Sequence, residues 1–159
     1  MTAEEIRASV NDLQATALTI MFEGASEPVE GRIAIASVIR NRVSKSKRFS
    51  FTYRGVCVQR AQFSCWWSFG GKDNFNRLMR AAEAMLTHQP VPFTNHESSI
   101  FLECHYIAEG VMGGQIRDRV QGATSYYAPL AMKPIGRVPK EVVGRPFIKV
   151  GSQIFYTVL

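Results

Sequence analysis

Five apolar residues, Ile6, Val10, Leu13, Ala17 and Ile20, recur at gaps of four, three, four and three. That spacing is one face of an amphipathic helix and predicts a helix over residues 4–23. A second stripe comes at once, through Val29, Ile33, Ala36, Ile39 and Val43. Gly24, Ala25 and Ser26 break the first helix. Ser26 suits the N-cap of the second, Pro28 its first turn, and Glu27 and Glu30 its N-terminal dipole. The second helix should end near Ser44, where a basic, Ser-rich connector begins. Phe75, Leu78, Met79 and Ala82 mark a third helix, ending before residues 88–92. Ile100, Cys104, Ile107 and Val111 mark a fourth, stopped by Gly113-Gly114.

The remainder reads differently. Residues 52–72 hold the densest aromatic patch, QFSCWWSFGG, which fits no helical period and predicts short strands or a loop. Residues 146–158 (PFIKVGSQIFYTV) read as a β-hairpin turning near Gly151-Ser152. Tyr126 and Tyr127 come after Gly122-Ala123-Thr124 in an expected loop. The fold class is therefore α+β, mostly helical, with a small β region. With 159 residues the chain is expected to be one domain, 1–159, since a domain takes roughly 100–200 residues. No apolar run approaches the roughly 18–20 residues of a membrane span. The acidic, polar start MTAEEIRASVNDLQ is unlike a Sec-type signal peptide.

Charge is unevenly placed. Net charge is +6, yet residues 31–72 contain nine Lys or Arg and no acid, while the first thirty hold six acids and one base. The block Arg32, Arg40, Arg42, Lys45, Lys47, Arg48, Arg54, Arg60 and Lys72 points to an anionic partner or to a solvated cationic face. No nucleic-acid recognition motif accompanies it, so nucleic acid is not the expected partner. Cys57, Cys65 and Cys104 are odd in number, so at least one is unpaired or bonds another chain. Cys57 and Cys65 are close enough in sequence to bridge; Cys104 lies in an apolar helical pattern and is read as a buried thiol. His88, His96 and His105 are spaced eight and nine apart, which gives no helical metal pair. No metal or cofactor is expected.

The most informative titratable residue is Glu23. It ends an apolar helical segment, ALTIMF, and so should sit at the edge of the core. Apolar surroundings disfavour the ionised carboxyl and raise its pKa. Such a Glu can hold a proton near neutrality and give it to a leaving oxygen, as a glycosidase general acid must. An exposed helix-end Glu is the plainer alternative. Gln62, Ser64 and Trp66, with Phe63 and Trp67, combine amide, hydroxyl and flat aromatic faces of the kind a sugar site uses. At least one of the two Trp belongs in the core. The tyrosine pair either faces a cleft or covers the core.

FEGASEPVEGRIAIASVIRNRV (22–43), VCVQRAQFSCW (56–66), GATSYYAP (122–129) and VGSQIFY (150–156) together resemble the SleB-like cell-wall hydrolases, in family order and over most of the chain. The resemblance implies a lysozyme-like domain that degrades peptidoglycan, and places the catalytic Glu on Glu23. The family includes spore-cortex lytic transglycosylases and phage relatives. The chain departs from the pattern at Ser125 and Gln153, where many members have His, and at Ala128-Pro129, where spore enzymes have Asn-Pro. The reaction implied is cleavage of the β-1,4 bond between N-acetylmuramic acid and N-acetylglucosamine; from their own chemistry, Gln62, Ser64, Trp66, Tyr126 and Tyr127 are the expected substrate contacts and Glu27 the expected auxiliary carboxylate. A lytic transglycosylase giving 1,6-anhydro products, of phage endolysin type, is expected. A muramidase with a second carboxylate (Glu27, Asp73 or Asp118) and a non-catalytic glycan-binding or phage structural module are the alternatives. A monomer, made in the cytoplasm and acting at the bacterial wall after release, completes the expectation.

Overall fold

The computed structural model describes residues 1–45, 47–60 and 62–157. Ser46, Ala61, Val158 and Leu159 lie outside them, and with Val158 goes the last residue of the expected hairpin. Among the described residues, six α-helices come first: α1 (Ala3–Ser9), α2 (Asp12–Gly24), α3 (Val29–Ser44), α4 (Tyr53–Val58), α5 (Lys72–Leu86) and α6 (Asn95–Met112). Three short strands come after them, β1 (Ser125–Tyr127), β2 (Phe147–Val150) and β3 (Gln153–Tyr156). The architecture is α+β and mostly helical, as expected.

The single first helix is in fact two. The apolar face runs on unbroken, but Asn11 stops the helix and caps a new one. Its side chain accepts from the Gln14 N–H at 2.7 Å, and Gln14 Oε1 accepts from the Asn11 N–H at 3.0 Å. This reciprocal pair satisfies two backbone donors, which outweighs continuing the helix through Val10. Helix α2 is the centre of the molecule. Ala15 through Met21 are all buried, against α3, α4, α5 and α6. Gly24 ends it where α3 approaches closely; a Cβ there would meet Ile35 Cδ1 at 2.7 Å.

Helix α3 starts two residues later than expected. Pro28, not Ser26, is its N-cap, and no side chain caps it. Val29 is consequently exposed rather than part of the buried stripe. The aromatic segment contains no strand: after α4 it forms two 3-10 turns, Ser64–Trp66 and Ser68–Gly70. Helices α5 and α6 and the hairpin agree with the periodicity. The sheet is antiparallel in the order β1-β3-β2. Tyr126 pairs with Phe155, and Ile148 pairs with Phe155 from the other side. Tyr126 and Tyr127 are thus in a strand, not a loop. No helix of the described residues is long and apolar enough to cross a membrane.

Cys57, Cys65 and Cys104 are all free and buried. Desolvation pushes the Cys57 and Cys104 thiols up to about 12 and Cys65 well above its usual value, so all three are neutral hydrophobes at physiological pH.

Candidate active site

Glu23 occupies the penultimate position of α2, where the buried helix emerges under the sheet. From β1, the Tyr126 hydroxyl donates to Glu23 Oε2 at 3.2 Å. Strand alternation places Tyr126 on the same face as its cross-strand partner Phe155, whose ring lies 5.3 Å away. From the first 3-10 turn, the Cys65 thiol and main-chain N–H lie near enough to favour the ionised carboxylate. From α3, Arg42 adds a weaker attraction. Burial outweighs these opposing contacts, and the Glu23 pKa is raised. The carboxyl therefore retains its proton above the ordinary carboxylate range. Burial and the Glu23 charge push the Tyr126 phenol well above its usual value, so it remains a neutral donor.

Glu27 has a different task. It is 8% exposed. Its Oε1 accepts from the Ser152 N–H at 3.0 Å and its Oε2 from the Ser152 hydroxyl at 2.7 Å. Two glycines make room. A Cβ on Gly31 would lie 2.9 Å from Glu27 Cβ, and one on Gly151, whose φ is +58°, would lie 2.7 Å from Glu27 Oε1. Glu27 clamps the hairpin tip to the start of α3 and thereby helps fix the sheet that carries Tyr126. Its expected place as a dipole-complementing residue in the first turn is corrected: it precedes the N-cap.

Of the other candidate carboxylates, Asp118 is committed elsewhere. Asp118 accepts from the Val120 and Gly122 N–H groups, both at 2.7 Å, and from Asn41 Nδ2 at 3.2 Å. Asp73 is exposed in the first turn of α5. No group of three or more His, Cys, Asp or Glu among the described residues could hold a metal ion.

The expected sugar-binding residues separate. Trp66 is 0% exposed and its indole N–H donates to Thr19 Oγ1 at 2.8 Å. It is a core residue and cannot stack on a sugar, which corrects its assignment as a substrate contact. Tyr127 faces away from Glu23 by alternation and packs edge-on against Tyr156, with ring centroids 6.2 Å apart. Gln62 and Ser64 are exposed beside the turn that carries Cys65. Trp67 is half-buried, with the Arg7 guanidinium 3.9 Å above its ring and Phe69 stacked on it at 6.0 Å.

Arg42 and Cys65 are the participants that the sequence did not single out. Arg42 was visible only as one member of the basic block. That block is not one cationic face: Arg32 pairs with Glu103, Arg54 donates to the Ala8 carbonyl at 2.7 Å, and Arg42 is buried.

A desolvated acid between a helix end and a small antiparallel sheet is the arrangement of a lysozyme-like glycan-cleaving enzyme. The family model described as Cell Wall Hydrolase matches residues 26–156, and the chain belongs to that family. Among solved structures, the chain is similar to the catalytic domain of the germination-specific lytic transglycosylase SleB from Bacillus anthracis. Identity is 25% and the TM-score 0.58, over 94% of this chain and 96% of that one. It is also similar to the catalytic domain of the Bacillus cereus SleB protein, at 26% identity and a TM-score of 0.59, over 92% and 90%. The fold is thus that of the SleB catalytic domain, and the protein is an enzyme of cell wall degradation. No curated protein matches the chain. The family match begins at residue 26, just after Glu23, so the assignment of that residue stands on its geometry.

Proposed function

We propose that the protein is a lytic transglycosylase that cleaves the β-1,4 bond from N-acetylmuramic acid to N-acetylglucosamine, with Glu23 as its one acid–base group. The observation that carries this is the pairing of a desolvated Glu23 with the Tyr126 hydroxyl, while Glu27 and Asp118 are held by hydrogen bonds within the fold. Hydrolytic glycosidases place a second carboxylate ~5–5.5 Å away for retention or ~6.5–9.5 Å away for inversion. A carboxylate bound by two or three internal donors is poorly placed for either task.

In the first step Glu23 gives its proton to the bridging oxygen as the C1–O bond breaks. The carbonyl oxygen of the muramic 2-acetamido group bonds to C1 and carries the positive charge. Glu23 is now a carboxylate. It takes the proton of the 6-hydroxyl, O6 bonds to C1, and the acetamido oxygen leaves. The product is a 1,6-anhydro sugar, no water is consumed, and Glu23 is protonated again. Tyr126 holds the carboxyl in place through both steps. Gln62 and Ser64, exposed next to the Cys65 turn, are proposed to position the glycan. Such a substrate calls for action at the bacterial wall after release from the cytoplasm.

The test is the chemical nature of the soluble products from purified peptidoglycan. Anhydro-muropeptides from wild type and none from Glu23→Gln would support the proposal. Reducing-end products would assign a hydrolytic muramidase instead. No products from either protein would favour a glycan-binding module.

A further inference from the structure

Arg42 is the most anomalous charged residue of the molecule. It lies in the last turn of α3, is 5% exposed, and makes no ion pair among the described residues. Its Nε donates to the Thr124 carbonyl at 2.7 Å. Its guanidinium lies 4.8 Å from the centre of the Phe63 ring and 5.2 Å from that of Phe49. Nη1 is buried with no hydrogen-bond partner. Burying a charge without a partner is strongly unfavourable. An arginine cannot relieve that cost by losing its proton at physiological pH.

The surroundings indicate what offsets it. Thr124 leads directly into β1, which carries Tyr126, and its N–H donates to the Tyr156 carbonyl at 3.1 Å. Phe63 immediately precedes the turn that carries Cys65. Arg42 is thus anchored by both segments that deliver partners to Glu23. The groups acting on the Glu23 carboxyl are Cys65 from the turn, Tyr126 from β1 and, more weakly, Arg42 from α3. Those acting on Arg42 are Tyr126, Cys57, Glu23 and Tyr156. The two thiols and two phenols are neutral at physiological pH, so Glu23 is the one group in this set that can supply a compensating negative charge.

We propose that Arg42 is a positioning residue whose fixed, buried charge stabilises the Glu23 carboxylate that exists between proton donation and proton recovery. The inference rests on Glu23 being the acid–base group. In the form that can donate a proton, Glu23 is neutral and Arg42 is uncompensated. When the proton moves to the leaving oxygen, a negative charge appears in the field of the buried Arg42 guanidinium, and burial leaves that field less screened than it would be in water. The cost of burying Arg42 in the proton-donating form is recovered in the transition state, which is the condition for raising a rate rather than an affinity. The aromatic rings, the Thr124 carbonyl and the absence of a permanent carboxylate partner among the described residues keep the guanidinium oriented but unneutralised.

The kinetic test compares Arg42→Met with Arg42→Lys over a range of pH. Activity that requires protonated Glu23 falls as pH rises through its midpoint. Removing the positive charge raises that midpoint. Arg42→Met should therefore lower the plateau rate roughly 10–100-fold and move the alkaline limb to higher pH. Arg42→Lys should return the limb towards its wild-type position. A uniform loss in Arg42→Met with the limb unmoved would contradict the proposal and leave Arg42 a purely structural residue.

A second measurement does not require an Arg42 variant to fold. In wild type, the side-chain Nε–H resonance of Arg42 should shift with pH at the midpoint of the Glu23 carboxyl resonance. In Glu23→Gln that shift should vanish. A flat Arg42 signal in wild type would overturn the proposal. If Glu23→Gln remained active while the two resonances titrated together, the assignment of Glu23 would fail and the electrostatic pair would stand.

Discussion

Ser152 at the tip of the hairpin holds the Glu27 carboxylate with both its main-chain N–H and its hydroxyl, at 3.0 and 2.7 Å. This joins the start of α3 to the turn between β2 and β3, and so fixes the sheet that carries Tyr126. Glu27→Ala should leave the Ser152 donors without their acceptor and cost about 1–3 kcal/mol. A domain of this size loses roughly 2–4 °C in Tm per kcal/mol. Residual activity should still give the same products. An inactive Glu27→Ala with unchanged Tm would make Glu27 catalytic instead.

Tyr126 donates a hydrogen bond that favours the ionised form of Glu23. Hydrogen bonds to charged groups are worth about 1.5–3 kcal/mol, or roughly 10–150-fold in rate. Tyr126→Phe should slow the enzyme within that range, with little change in Tm, and shift the alkaline limb of the pH profile upward. Tyr127→Phe, on the opposite face, should do neither. Purified variants assayed across pH on one peptidoglycan preparation would check both.

The raised pKa of Glu23 couples stability to pH. Between its unfolded midpoint and its higher folded one, the native state binds more protons than the unfolded state. Stability then decreases as pH rises through that window. Glu23→Gln removes the effect. The variant should match wild type in Tm well below the ordinary carboxylate range and exceed it near neutrality. Thermal scans of both proteins at several pH values measure this. A wild type that gains stability over the variant on going to neutral pH would show that the Glu23 pKa is lowered, not raised.

Cys57 and Cys65 are free thiols. Thiol titration should find all three cysteines in denaturant without reductant and almost none reacting quickly in the native protein. Reductant should not move Tm. Two missing thiols in denaturant would reveal a bridge.

Much of the fold is visible in the residue pattern, and the rest is hidden for physical reasons. Helices α5 and α6 declare themselves because the buried residues Leu78, Met79 and Ala82, and Cys104, Ile107 and Val111, keep helical spacing. Glu23 is legible because a carboxyl that ends the apolar segment ALTIMF falls at the edge of the core. The break at Val10-Asn11 is hidden, because the two helices keep the apolar spacing of one. Only the Asn11–Gln14 pair distinguishes them. Strand β1 is hidden because three residues carry too little alternation, and their partner strand lies far along the chain. Trp66 looks like a sugar platform from its neighbours, yet Thr19, distant in sequence, gives its indole N–H a buried partner. Arg42 is lost in a run of cations, and of Arg32, Arg40 and Arg42 on α3 it alone is buried.

In the proposed mechanism one carboxyl, Glu23, both gives and recovers the proton. Mass spectrometry of the products released from purified peptidoglycan by wild type and Glu23→Gln tests this most directly. The expected result is 1,6-anhydro-muropeptides from wild type and none from the variant, which should be folded. Reducing-end products from wild type, or anhydro products persisting in Glu23→Gln, would contradict it.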